Sequence, residues 1–166
     1  YVFACDQLKS IRQDLMVQNI NTKFTSHVLE VHARIALEQG DLDEYNACQC
    51  RLQEMRREGV GISVDEFMCY RLLYSLHVGS SLEMAAALQE VENDKRNDPT
   101  ADDSKTKFAI DVILSLRSLN MFRFLKLYGK SPAQSGYLMD HLLFKMRLQA
   151  FENIVKTYLS LPVNIC

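Results

Sequence analysis

Alternation of apolar and polar residues with period two is almost absent from this sequence, and only three prolines and six glycines interrupt its 166 residues. A strand-built body is thereby excluded and helices dominate. No apolar run approaches the roughly eighteen residues that a membrane span needs. The opening Tyr1-Val2-Phe3-Ala4-Cys5-Asp6 lacks the basic and apolar zones of a signal peptide. The chain begins without Met and stops at Cys166, so it reads as a fragment. Hydrophobic residues make up 48% and charged residues 24%, which places it among ordinary folded domains and far from disordered or fibrous chains.

The texts of catalysis and ligand binding are missing too. His27 and His32 flank Glu30, but helical zinc ligands need a four-residue separation, and five residues set the two rings about 140° apart. Cys48-Gln49-Cys50 has one spacer residue instead of two and no second ligand pair, so the five cysteines (Cys5, Cys48, Cys50, Cys69 and Cys166) read as plain reduced thiols of a cytosolic or nuclear protein. Glu58-Gly59-Val60-Gly61 has no strand before it and no Lys-Ser/Thr after it, which makes it a turn and not a phosphate loop. No Gly-x-Ser-x-Gly elbow occurs. Asp41, Asp43 and Glu44 lack a calcium loop and suit the amides of a helix start. No enzyme, metal or cofactor is expected.

Charge, by contrast, is unevenly placed. Tyr1 to Asp103 holds ten Lys and Arg against eighteen Asp and Glu, a balance of −8, whereas Ser104 to Cys166 holds nine against three, a balance of +6. From Val112 to Met139 there is no acid, and Arg117, Arg123, Lys126 and Lys130 stand beside Phe122, Phe124 and Tyr128. Such a stretch suits phosphate contact with stacking on an exposed ring. Aromatics three apart on a helix also suit a core with a solvated charged face, and the residues alone leave both readings open.

Eight helices are expected. The first runs from Val2 to Ile20 with Leu8, Ile11 and Leu15 on one face; the second carries Phe24, Val28, Val31 and Ile35 and stops at Gly40. Asp41 and Glu44 open a third, with Tyr45, Cys48, Leu52 and Met55 buried, and Gly59 and Gly61 end it. Ser63 and Glu66 open the fourth, through Phe67, Tyr70 and Tyr74 to Gly79, and Ser80 and Glu83 repeat the capping spacing. The fifth covers Leu82 to Val91 and gives way to a solvated loop at Asn93 to Pro99. The sixth covers Ser104 to Leu119, the seventh ends at Gly129, and the longest runs from Gly136 to Leu161 before Pro162. The tight turns at Gly40-Asp41, Ser80-Ser81 and Leu119-Asn120 lie 39 to 40 residues apart, each followed by an apolar residue, Leu42, Leu82 or Met121. Helical-hairpin solenoids repeat at roughly 34 to 47 residues because each pair needs the next to cover its apolar face.

Three blocks carry a resemblance. Cys5-Asp6-Gln7-Leu8-Lys9-Ser10-Ile11-Arg12-Gln13-Asp14-Leu15 looks like the opening motif of the SAC/GANP-type branch of the PCI proteins. His32-Ala33-Arg34-Ile35-Ala36-Leu37-Glu38-Gln39-Gly40-Asp41 with Glu44-Tyr45-Asn46 and Cys48-Gln49 resembles the family's helical turn, and Ser135-Gly136-Tyr137-Leu138 a landmark of its splicing-associated branch. The resemblance implies a right-handed stack of helical hairpins, TPR- or PCI-like, over residues 1–161, followed by a winged helix of which 162–166 would be the start. It also implies a non-catalytic nuclear scaffold in mRNA processing or export. Its partners would be a second PCI-domain protein, a small acidic Sem/DSS-type protein and mRNA, the last mainly through the missing winged helix, and no membrane is involved. The same architecture serves protein-only assemblies such as the proteasome lid, the signalosome and translation-initiation complexes. Arg12, Gln13 and Asp14 are candidates for structural ties or partner contact; Arg12 and Asp14, two apart on a helix, cannot face one another.

Overall fold

The computed structural model describes residues 1–60 and 64–158, and among them eight helices and no strand occur. These are α1 (Val2–Val17), α2 (Lys23–Gln39), α3 (Leu42–Arg57), α4 (Val64–Val78), α5 (Ser81–Asn97), α6 (Ser104–Arg117), α7 (Met121–Tyr128) and α8 (Ser135–Thr157). The expected Ser63 cap and the proposed winged-helix start at 162–166 lie outside the described residues; α8 ends at Thr157, where Tyr158 turns extended, short of the expected Leu161.

The repeat read from the sequence is a repeat of turn chemistry. Gly40, Gly79 and Leu119 all adopt the left-handed backbone, with φ of 73°, 77° and 53°. Each is followed by a side chain that caps the next helix: Asp41 accepts from the Glu44 amide at 3.1 Å, Ser80 from Glu83 at 3.2 Å, and Asn120 from Arg123 at 2.9 Å. Reversal in the left-handed region followed at once by a capping oxygen produces a short antiparallel hairpin each time. The hairpins are α2–α3, α4–α5 and α6–α7.

These hairpins bury one another. In α4 every residue from Phe67 to Leu73 is buried, because α5, α6 and α8 pack around it and α2 reaches it through the Arg34–Glu66 pair. A helix apolar on all sides can exist only in the middle of such a stack. Helix α8 returns across α4 and α7, with Leu138, Met139, Leu142 and Met146 buried. Its start is pinned by Tyr70, whose hydroxyl accepts from the Gln134 amide at 3.1 Å and meets Glu66 at 2.9 Å. Asp65 of α4 caps α6 across the stack, accepting from the Lys105 and Thr106 amides at 3.0 and 2.8 Å.

Several local expectations are corrected. In α1 Ile11 is exposed, and the buried face is Cys5 and Leu15, with Leu8 and Arg12 half-buried between them. In α2 Phe24 is exposed; the buried side centres on Leu29, His32, Ala33, Ala36 and Leu37, since small residues let α1 and α3 approach closely. Glu44 does not close a capping box but turns to Lys9 and Arg12. The charged stretch from Asn93 is not a loop until Asp98, because α5 continues to Asn97. Arg56 of α3 grips Asp94, Lys95 pairs with Asp103 at 3.3 Å and Glu92 with Arg96 at 3.6 Å, so ion pairs supply what an apolar face does not.

Candidate functional site

The Arg12-Gln13-Asp14 trio is divided by its helix. Arg12 is half-buried and reaches past α2 to α3, where Nη2 meets Glu44 at 2.6 Å and Nη1 donates to Cys48 Sγ at 2.7 Å. Gln13 and Asp14 are exposed. Burial is the main cause that pushes the Cys48 thiol up to about 11, with Arg12 only partly opposing it, so Cys48 is a protonated packing thiol. Lys9 takes the other Glu44 oxygen at 2.9 Å.

Beside this pair is a convergence that local sequence reading did not find. Cys5 Sγ lies 3.3 Å from His32 Nε2, and His32 Nε2 lies 3.7 Å from Glu44. Their ligand atoms all fall within 4.8 Å of one another, a spacing that metal ligands can adopt. The surroundings favour a different role. Both Glu44 oxygens are already held by cations, and His32 Nδ1 is buried with no partner among the described residues, whereas a metal-bound imidazole almost always has its second nitrogen hydrogen-bonded. Burial first, and then the nearby Arg12 charge, hold the His32 pKa below its ordinary value, so the ring is neutral at pH 7. The cluster joins α1, α2 and α3 by polar contacts.

The basic-aromatic segment is also divided. Phe124 is fully buried, while Phe122 is 90% exposed. Arg117, Arg123, Lys126 and Lys130 are all exposed. Arg123 pairs with Asp111 of α6 at 2.7 Å and the Tyr128 hydroxyl donates to Asp140 of α8. These two acids bracket the acid-free stretch in sequence and fold back onto it. On the adjoining helix, Phe144, Leu148, Phe151 and Val155 form an exposed apolar stripe at helical spacing, with Lys145, Arg147 and Lys156 interleaved. Arg117, Lys126 and Lys130, whose exposed charges no described acid engages, with Phe122 and this stripe, make a surface suited to contact and not a cavity suited to chemistry.

The fold and these surfaces define a stacked helical-hairpin protein that presents its chemistry on open faces. No family model matches the chain. Curated relatives do: it is 41% identical to a leukocyte receptor cluster member 8 homolog of Xenopus laevis over 99% of its own length, and 39% identical to a THP3 homolog of Schizosaccharomyces pombe over 95%. It is 42% identical to SAC3 family protein A of Arabidopsis thaliana over 90% of its length. The chain belongs with the SAC3/THP3 family. It spans 20%, 39% and 14% of the length of these three relatives.

Proposed function

We propose that this chain is the helical-repeat portion of a non-catalytic nuclear scaffold subunit that acts in mRNA processing or export, binds a second PCI-type protein and helps hold mRNA. The observation that carries the reading is the relationship to SAC3/THP3 proteins across nearly the whole chain. Geometry supports it. The titratable groups that come together at Glu44 are consumed by ties between helices, and the groups left outward are a ring, cations and an apolar stripe. A strand of RNA would lie along α7, with phosphates on Arg117, Lys126 and Lys130 and a base against Phe122. The α8 stripe would take a protein partner, either the second PCI-type protein or a small acidic Sem/DSS-type chain. The pairing of Arg123 with Asp111 favours one rival reading, a protein-only assembly subunit with the same architecture, because it removes a cation from the RNA face.

Filter binding of single-stranded RNA against salt tests the RNA part. Three phosphate contacts predict a log–log slope of about −2, and a change of both Lys126 and Lys130 to Glu flattens it by about 1.4. A slope near zero, unchanged in the double variant, leaves the protein-only reading standing.

A further inference from the structure

Between α1, α2 and α3 lies an open cavity of about 380 Å³, within the roughly 300 to 1,000 Å³ typical of ligand pockets. Buried Leu15 and Leu29 form its floor, and the exposed Met16 and Ala47 extend the aliphatic lining to its mouth. Its rim carries Lys9, Arg12 and Arg51, and neither an acid nor an aromatic ring lines it. Lys9 and Arg12 share Glu44, and Arg51 pairs with Glu54 at 2.6 Å. Three cations therefore meet two carboxylates, and one positive charge is left over. The Arg12 Nε–H is buried and has no acceptor among the described residues.

We propose that this cavity docks a segment of a partner polypeptide in which a single Asp or Glu adjoins a Leu- or Met-sized residue. The carboxylate meets the guanidinium ends of Arg12 and Arg51 at the rim, completing the charge balance. The neighbouring side chain covers the aliphatic floor. A polyanion fits badly, because the half of the chain around the cavity carries a balance of −8 and repels further negative charge. RNA also lacks a ring there to stack on. The inference is independent of the mRNA reading, which concerns α7 and α8.

The test titrates the whole chain into a fluorescein-labelled dodecapeptide of Gly and Ser containing one Glu-Leu pair, read by anisotropy. Gln-Leu and Glu-Ala counterparts and a twelve-nucleotide oligo(U) serve as competitors. The Glu-Leu peptide binds, both counterparts bind at least tenfold more weakly, and oligo(U) does not displace it. Ala47→Trp, which fills the cavity from an exposed position, and Arg51→Gln each weaken binding tenfold or more with unchanged far-ultraviolet circular dichroism, and Arg51→Lys restores part. If Ala47→Trp disturbs the helices, Arg51→Gln decides. Absence of binding by the Glu-Leu peptide, undiminished binding in Arg51→Gln, or displacement by oligo(U) overturns the proposal.

Discussion

Replacement of Arg34 by Met removes the charge that joins α2 to α4 while keeping the aliphatic stem. Arg34 forms a fork on Glu66, with Nε at 2.7 Å from one oxygen and Nη2 at 3.0 Å from the other, reaches Glu30 at 3.3 Å, and lies 5.4 Å from the centre of the Phe67 ring. Its loss leaves the Glu66 side chain, 12% exposed, without its cation. Removing one partner of a buried pair costs about 3 to 5 kcal/mol. Arg34 is 26% exposed and Glu66 keeps the Tyr70 hydroxyl, so about 2 to 3 kcal/mol is expected here. For a chain of this size that is a fall in melting temperature of about 5 to 10 °C.

The pH dependence supplies an independent check. Burial alone would raise the Glu66 pKa, but Arg34 and Tyr70 outweigh it and hold the carboxyl below its ordinary value. Its stabilising contribution is therefore complete above the unfolded value, near ~4.3, and is lost as pH falls through the lower folded value. In Arg34→Met burial prevails, the folded pKa lies above the unfolded one, and protonation relieves the variant. Urea unfolding followed by circular dichroism should show a deficit at pH 7 that narrows toward pH 4, and Arg34→Met with Glu66→Gln should recover at least about 1 kcal/mol of the loss. A deficit under about 0.5 kcal/mol at pH 7, or one indifferent to pH, refutes the reasoning.

Two further outcomes are expected. Asp65→Ala uncaps α6 from outside, costs about 1 to 2 kcal/mol, and should lower hydrogen-exchange protection at Lys105 and Thr106 while leaving α2 and α3 protected. His32, whose folded pKa lies below the unfolded value, makes stability complete above about pH 6.5 and declining as pH falls from there toward the folded value. His32→Gln should flatten that decline in urea midpoints measured between pH 8 and 5.5, and an unchanged slope assigns it to other groups.

How much was legible follows from the range over which each feature is determined. The hairpin turns could be read because left-handed reversal and a capping oxygen are chemistry of two or three adjacent residues, as at Gly40-Asp41 and Leu119-Asn120. The buried face of α3 could be read because Tyr45, Cys48, Leu52 and Met55 keep one stripe. In α2 Val28 is buried as expected, but Phe24 is exposed and the centre of the buried side was missed, because two neighbours flank the helix and Ala33 and Ala36 matter by being small, which no hydrophobic count rewards. The helical state of Asn93 to Asn97 is not legible locally, because its order comes from Arg56, 38 residues before Asp94, and from Asp103 beyond the helix end. The meeting of Cys5, Arg12, His32 and Glu44 uses three helices and left no local mark. The basic segment was visible as composition, but its two bracketing acids stand just beyond the acid-free window and return only through the fold.

Affinity purification of the full-length protein from nuclei, with RNA crosslinked beforehand, tests the functional account most directly. The account predicts recovery of a PCI-type partner together with mRNA-processing or export factors and polyadenylated RNA. Recovery of proteasome-lid or translation-initiation subunits without RNA would contradict it.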